Sequence, residues 1–289
     1  MKRLLVFGAG YSAKAAASVC ASVFDQISGT TRSPDKLPAL AAASMDPLIF
    51  NGASTAELET AIASATHLLV SAAPDKQGDP VLSVLHESLA QAPALRWVGY
   101  LSTVGVYGDH GGAWVNEESE CRPVSARSIE RLQAEGQWME FCERKRIPLS
   151  ILRLSGIYGP GRNALVNIEK GTSRRLVKPG QVFNRIHRDD IAMAVRLAVE
   201  VEAGGIFNIT DDEPAPPQEV VEFAHALVGT KPPVEQDFAT AQLSEMARSF
   251  YGENKRVSNL KSRKVLGLAY RYPNYREALT RMWTENSWR

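Results

Sequence analysis

Leu4 to Phe7 form an apolar run of strand type, and Gly8-Ala9-Gly10-Tyr11-Ser12-Ala13 follows at once. An alanine-rich stretch through Ala17 and Val19 then reads as a helix. A G-x-G-x-x-A turn set between a strand and a helix constrains the fold more than any other stretch of the chain. Gly8 permits the tight turn, Gly10 lets the backbone approach a pyrophosphate, and Ala13 keeps the helix close to the strand. Tyr11 and Ser12 open the helix, where unpaired N–H groups and the positive end of the helix dipole favour phosphate. The stretch is that of a dinucleotide site.

The rest of the chain repeats the alternation that such a site requires. Strands are expected near Ile27–Thr31, Pro47–Asn51, His67–Val70, Trp97–Leu101, Leu149–Leu154 and Gly205–Thr210. Helices are expected between them. Ser54 with Glu57 would cap one over residues 54–64, and Val81, Val84, Leu85 and Leu89 form the apolar stripe of another from Pro80 to Ala90. Ser125 opens a long helix to Arg146, and Asp189 or Asp190 would cap a helix carrying Ile191, Ala194, Val195 and Ala198. This pattern predicts an α/β fold with a doubly wound parallel sheet of the Rossmann type and a small C-terminal substrate lobe. Residues 1–160, completed by 186–210, form the dinucleotide-binding domain, and 161–289 supply mainly the substrate-facing lobe.

Charge and composition exclude several classes. With 33 basic and 32 acidic residues the formal net charge is +1, so no global field recruits nucleic acid or an anionic membrane surface. Cys20, Cys121 and Cys142 are too widely spaced for a zinc site or a disulfide framework. No metal site is expected, and no apolar stretch reaches the length of a membrane span. The expectation is a cytoplasmic protein with reduced thiols that handles a small molecule. The helices at residues 80–90 and 125–146 are candidates for a homodimer face, or ordinary sheet-covering helices.

Two strand ends bear on the coenzyme. An NAD-preferring site places Asp or Glu about 20 residues past the glycines, to hold the adenosine ribose hydroxyls. This chain has Thr30, Thr31 and Arg32 there, with Ser33 and Lys36 beyond. Hydroxyls and a guanidinium suit a 2′-phosphate, so Thr31 and Arg32 favour NADP over NAD; the alternative is a solvated loop cation. Ser71, Ala72 and Ala73 are small residues at the end of a strand, where a cofactor can lie against the backbone. His67 sits at the start of that strand, the wrong end for chemistry. The glycine-rich, acidic loop at residues 109–120 is a candidate lid over a substrate.

Several motifs taken in order resemble the extended short-chain dehydrogenase/reductases, in an atypical form of the NAD-dependent epimerase/dehydratase group. They are GAGYSA at 8–13, YLSTVGVYG at 100–108, Glu118 to Pro123, LRLSGIYGPGR at 152–162 and RIHRDDIA at 185–192. The resemblance covers about the first 210 residues. It implies a nicotinamide coenzyme, a nucleotide-sugar class of substrate, and acid–base chemistry by a Tyr and a Lys spaced Y-x-x-x-K, with a Ser or Thr orienting the substrate. Thr103 occupies the Ser/Thr position. Arg127 stands at the tyrosine position and Arg131 at the lysine position.

Arginine carries no acceptor and stays protonated, so Arg127 cannot exchange a proton with substrate. It can clamp a carboxylate, a phosphate or a developing oxyanion, while Arg131 can still bind ribose hydroxyls. The bland alternative makes both surface residues, with Arg131 paired to Glu135 at i,i+4. Tyr107 is the first acid candidate in their place, ahead of Tyr100 and His187, or else a packed aromatic. Thr103, Arg127 and His187 are expected to face the substrate. A second Y-x-x-x-K, Tyr251 to Lys255, lacks the strand before it and reads as coincidence. The expected function is an NAD(P)-binding epimerase/dehydratase- or reductase-like enzyme acting on a polar, anionic substrate. The alternative is a regulatory or redox-sensing protein that binds NADP(H) without turnover.

Overall fold

The computed structural model describes residues 1–289, the side chains of residues 246 and 247 excepted. The chain begins with β1 (Arg3–Phe7), α1 (Tyr11–Cys20), β2 (Gln26–Thr31), α2 (Leu37–Ala41), β3 (Asp46–Ile49) and α3 (Ala56–Ser64). Next come β4 (His67–Val70), α4 (Pro80–Gln91), β5 (Trp97–Thr103), β6 (Trp114–Val115), α5 (Ala126–Lys145), β7 (Leu149–Leu154) and β8 (Gly156–Tyr158). The middle of the chain adds α6 (Ala164–Glu169), β9 (Arg175–Val177), β10 (Arg185–His187), α7 (Arg188–Glu200) and β11 (Gly205–Ile209). It ends with α8 (Pro217–Leu227), β12 (Glu235–Asp237), α9 (Glu245–Ser249), β13 (Arg256–Val257), α10 (Leu260–Leu266) and α11 (Tyr275–Thr284).

Seven strands pair in parallel in the order β11-β7-β5-β4-β1-β2-β3. The order reverses between β1 and β4, which opens the crevice where ligands bind in such sheets. Strand β1 shows why the sheet is covered on both sides. Its Leu4 and Val6 pack with α1 and α7, and its Leu5 and Phe7 with α3, α4 and α5. Each such side chain contributes about 1.5–3 kcal/mol when fully buried. A separate apolar cluster of α6, α8 and α11, with Tyr158, Tyr275 and Trp288, forms the C-terminal lobe. Among the described residues no helix is long and apolar enough to cross a membrane.

Local details depart from expectation for identifiable reasons. Helix α3 is capped by Thr55, whose hydroxyl accepts from Leu58 N–H at 3.2 Å, while Ser54 donates to Glu59 instead. In α4 the buried face is Val81, Leu82, Leu85 and Leu89, which leaves Val84 exposed on its flank. Helix α7 is capped by His187, whose Nδ1 accepts from Asp189 N–H at 3.2 Å. Asp190 turns away to accept from the N–H groups of Arg271 and Tyr272, and Asp189 pairs with Arg188. The loop at 109–120 is no free lid. Strand β6 pairs with β13, Asp109 accepts from Asn254 N–H at 2.9 Å, and Glu117 accepts from Asn208 N–H at 2.8 Å.

Three of the buried titratable groups make opposing contributions to the pH dependence, and burial raises Asp79 and Asp211 in the same direction as Asp190. Burial holds His67 and His187 neutral and pushes each down from 6.5 to about 4. Burial raises Asp190 from 3.8 to about 6. The histidines' contribution is complete above pH 6.5 and is lost as pH falls toward 4; that of Asp190 is complete below 3.8 and is lost as pH rises through 6. Between those limits the unfolded chain holds two extra protons on the histidines and one fewer on the aspartate. These groups therefore add a slope of about 1.4 kcal/mol of stability per pH unit. In urea unfolding from about pH 5 to about pH 6, His67→Gln should lower the slope by about 1.4 kcal/mol per pH unit relative to the unmutated protein. Parallel curves for the two proteins would contradict the assignment.

Candidate active site

The glycine turn is built by contacts from two neighbouring strands. Gly8 has φ +78°, and a Cβ there would lie 2.8 Å from the backbone N of Ala72. Its N–H donates to the Thr30 hydroxyl at 3.0 Å, and Ala9 N–H donates to the Thr30 carbonyl at 2.9 Å. Thr30 is thus spent inside the turn and is not available to a ligand. Gly10 is the N-cap of α1, with no side-chain cap, and the first turn of α1 carries no acidic residue. Ala13 is fully buried in the α1–α7 core, and Ser12 is buried beside it. A Cβ on Gly10 would meet nothing nearer than the Gly8 carbonyl oxygen, 3.8 Å away. The helix start is therefore electropositive, uncapped and open, which fits a dinucleotide's diphosphate.

The other coenzyme candidates border this turn. The backbone of Ser71 and Ala72 lies against Gly8, and Ala73 beyond them is exposed. Thr31 ends β2 with its hydroxyl accepting from Ser33 N–H at 3.3 Å. Arg32 is exposed and makes no ion pair with any described residue.

A cavity of about 720 Å³ opens between the sheet and the C-terminal lobe. Thr103, Arg127 and Arg131 all line it. The Thr103 hydroxyl accepts from Gly105 N–H at 3.1 Å. Arg131 is no surface residue: its Nη1 lies 3.0 Å from the Leu101 carbonyl, 3.1 Å from the Tyr100 hydroxyl and 3.3 Å from the Ala72 carbonyl. Its expected partner Glu135 is instead fully buried against Arg153, at 2.7 Å. Arg127 is exposed, with its guanidinium 5.5 Å from the Phe250 ring centroid, and has no carboxylate partner among the described residues.

Three expectations for acid–base groups are corrected. Tyr107 is fully buried, its hydroxyl donates to Asn208 Oδ1 at 2.8 Å, and Arg153 stacks 4.8 Å from its ring centroid. Burial pushes it up to about 12. It is the packed aromatic of the alternative reading, with no path to the cavity. Tyr100 is likewise buried, and burial raises its phenol. His187 lies outside the cavity wall, buried between Tyr158 and the Tyr272 ring 3.7 Å away, where it caps α7.

The cavity also contains side chains that no local signal announced. Arg185 of β10 lines it, its Nη1 donating to the carbonyls of Phe183 and Ala215 at 3.0 and 3.1 Å. Tyr251 and Lys255 line it too, although they share no helix face: Tyr251 sits in a 3₁₀ turn and Lys255 in the extended chain before β13. Lys255 Nζ donates to the Gly108 carbonyl at 2.8 Å and to Glu253 at 2.6 Å. Glu253, the acidic side chain of the wall, is thereby neutralised. Three guanidiniums, those of Arg127, Arg131 and Arg185, remain without a carboxylate at ion-pair distance among the described residues. The wall selects for negative charge.

Residues 78–210 match the family model described as the NAD dependent epimerase/dehydratase family. The chain is 28% identical over 192 residues to Protein YeeZ of Escherichia coli (strain K12), a match that spans 61% of this chain and 58% of that protein. A structure of a functionally unknown conserved protein from Silicibacter pomeroyi DSS is 43% identical, with 99% of both chains covered and a TM-score of 0.90. The dTDP-glucose 4,6-dehydratase of Bacillus anthracis str. Ames, solved in complex with NAD, shares the fold at 18% identity and a TM-score of 0.78, over 99% of this chain and 97% of that one. The motif order and the seven-stranded parallel sheet agree with that match: residues 78–210 resemble an NAD-dependent epimerase/dehydratase domain, carried on a Rossmann-type fold.

Proposed function

We propose that the protein is an NADP(H)-dependent enzyme, epimerase/dehydratase- or reductase-like, acting on a polar, anionic small molecule. The observation that carries the coenzyme is Gly10: its missing side chain faces open space at an uncapped helix start, where only something outside the chain needs room. When bound, the nicotinamide would accept or return a hydride. Arg131, between the ends of β4 and β5, would donate to ribose hydroxyls, and Thr103 would orient the substrate oxygen. Arg127 cannot move a proton and would hold a carboxylate, a phosphate or a developing oxyanion. A nucleotide-sugar substrate meets the demand of the three guanidiniums for negative charge, and the B. anthracis relative's name points the same way.

Fluorescence titration with NADPH and NADH tests the coenzyme. The unmutated protein should prefer NADPH, and Arg32→Asp should remove about 1.5–3 kcal/mol of that preference by deleting charge-assisted bonds to the 2′-phosphate. Equal affinity for both coenzymes in the unmutated protein would refute NADP selectivity.

Arg127 at the tyrosine position favours a second reading, a sensor that binds NADP(H) without turnover. Stereospecific transfer of a deuteride from labelled NADPH to any member of a nucleotide-sugar and ketone panel would exclude the sensor. Tight binding with no transfer would favour it.

A further inference from the structure

We propose that Arg162 and Arg188 complete the coenzyme's diphosphate site, held in place by the ring of Tyr11; this rests on the coenzyme reading above. Tyr11 is the first residue of α1, and its ring centroid lies 5.9 Å from the Arg162 guanidinium carbon and 5.0 Å from that of Arg188. Both arginines come from the second half of the chain. Arg162 belongs to the tight turn after β8, where the N–H groups of Gly159 and Arg162 donate to each other's carbonyls at 3.0 and 2.9 Å. Arg188 opens α7.

The turn is latched onto α1. The Tyr11 hydroxyl donates to the Pro160 carbonyl at 2.9 Å. A Cβ on Gly159 would fall 2.7 Å from that hydroxyl and 3.3 Å from His187 Nε2, so this approach needs glycine. On its other side the turn is tied to the C-terminal end: Gly161 N–H donates to the Trp288 carbonyl at 2.9 Å, and Asn163 Nδ2 donates to the same oxygen at 2.7 Å.

Electrostatics says what the arrangement is for. The start of α1 is already the positive end of a dipole, and its first turn holds no acidic residue. Arg188 is compensated by Asp189 at 3.1 Å, but Arg162 has no carboxylate at ion-pair distance among the described residues. Two guanidiniums gathered on the ring of one residue, one of them without a carboxylate, favour the arrival of an anion. Independently, His187 Nε2 at this same junction is buried and has no hydrogen-bond partner. Because its Nδ1 accepts from Asp189 N–H, Nε2 carries the proton and is a donor facing the Gly159 turn. Uncompensated positive charge on the first residue of α1, and an idle donor behind the turn latched to it, call for a diphosphate, with Arg162 its direct cation and Arg188 the second.

The test uses the full chain and three probes: NADPH, ADP-ribose and inorganic pyrophosphate. Arg162→Ala should weaken NADPH and ADP-ribose alike by about 10-fold or more, since both carry the diphosphate. Arg162→Lys should recover part of that loss, and pyrophosphate should compete less well against NADPH in Arg162→Ala than in the unmutated protein. Arg162 is exposed, so its melting temperature should stay unchanged. Arg188→Ala serves as the second variant, with the same direction expected. Unmutated affinity for both nucleotides in both variants overturns the proposal and leaves the coenzyme reading standing. No binding of NADPH or ADP-ribose by the unmutated protein overturns both.

Discussion

Gly8→Val should abolish NADPH binding and lower folding stability by about 2–5 kcal/mol, whereas Gly10→Val should abolish binding with little change in stability. The two glycines look equivalent in the motif but face different surroundings. At φ +78° a β-branched residue at position 8 is strained by itself, worth about 1–3 kcal/mol. Its Cβ would also strike the Ala72 backbone at 2.8 Å, and backbone inside a paired strand end cannot swing aside. Relief would require separating the ends of β1 and β4, the crevice in which the coenzyme sits. Gly10 has a negative φ of −86° and free space at its Cβ position. A side chain there would obstruct only the ligand. Urea unfolding and NADPH titration of both variants separate the effects. Equal stability of Gly8→Val and the unmutated protein would refute the first half, and tight binding by Gly10→Val the second.

The second large effect lies beneath the cavity. Glu135 is fully buried, its two oxygens accepting from Arg153 Nε at 3.1 Å and Nη2 at 2.7 Å and from the Ser102 hydroxyl. Arg153 in turn stacks on Tyr107, whose hydroxyl donates to Asn208. Removing the carboxylate with Glu135→Ala should cost about 3–5 kcal/mol, because Arg153 is left as an uncompensated buried charge. Replacing both partners, Glu135→Met with Arg153→Met, should cost far less, since desolvation of both ions offsets most of their attraction. A double variant as unstable as Glu135→Ala would mean that the network's hydrogen bonds, and not the orphaned charge, set the loss. The same experiment bears on function through position: α5 carries Arg127 and Arg131 on the helix that Glu135 anchors to β7.

Misreadings of side chains follow one physical pattern. Tyr107 leaves the end of β5 and Arg131 stands on α5, yet Tyr107 turns into the core and Arg131 into the cavity. Position along a chain sets which element a residue belongs to; the direction of a side chain in a 3₁₀ turn or a helix's first turns depends on what packs against it. The cap of α7 shows the same thing. Asp189 and Asp190 have the composition of a cap, but the Arg271 and Tyr272 N–H groups claim Asp190 and leave the position to His187. Val84 falls outside its stripe because the buried face of α4 is centred on Leu82, Leu85 and Leu89, and apolar spacing alone does not say which flank of the stripe meets the sheet.

What the amino-acid order determined by itself is local: a strand, a two-glycine turn and an uncapped helix, then alternating strands and helices that can bury both sheet faces only in a doubly wound fold. Such features depend on backbone freedom and on the period of apolar residues, both of which are written within a few neighbours. The composition of the cavity was decided by the tertiary structure alone. Arg185, Tyr251 and Lys255 reach Thr103 and Arg131 across 50 or more positions, through the β13–β6 and β10–β8 pairings. The energy of those contacts appears only after the chain has closed the intervening loops, so no nearby residue records it.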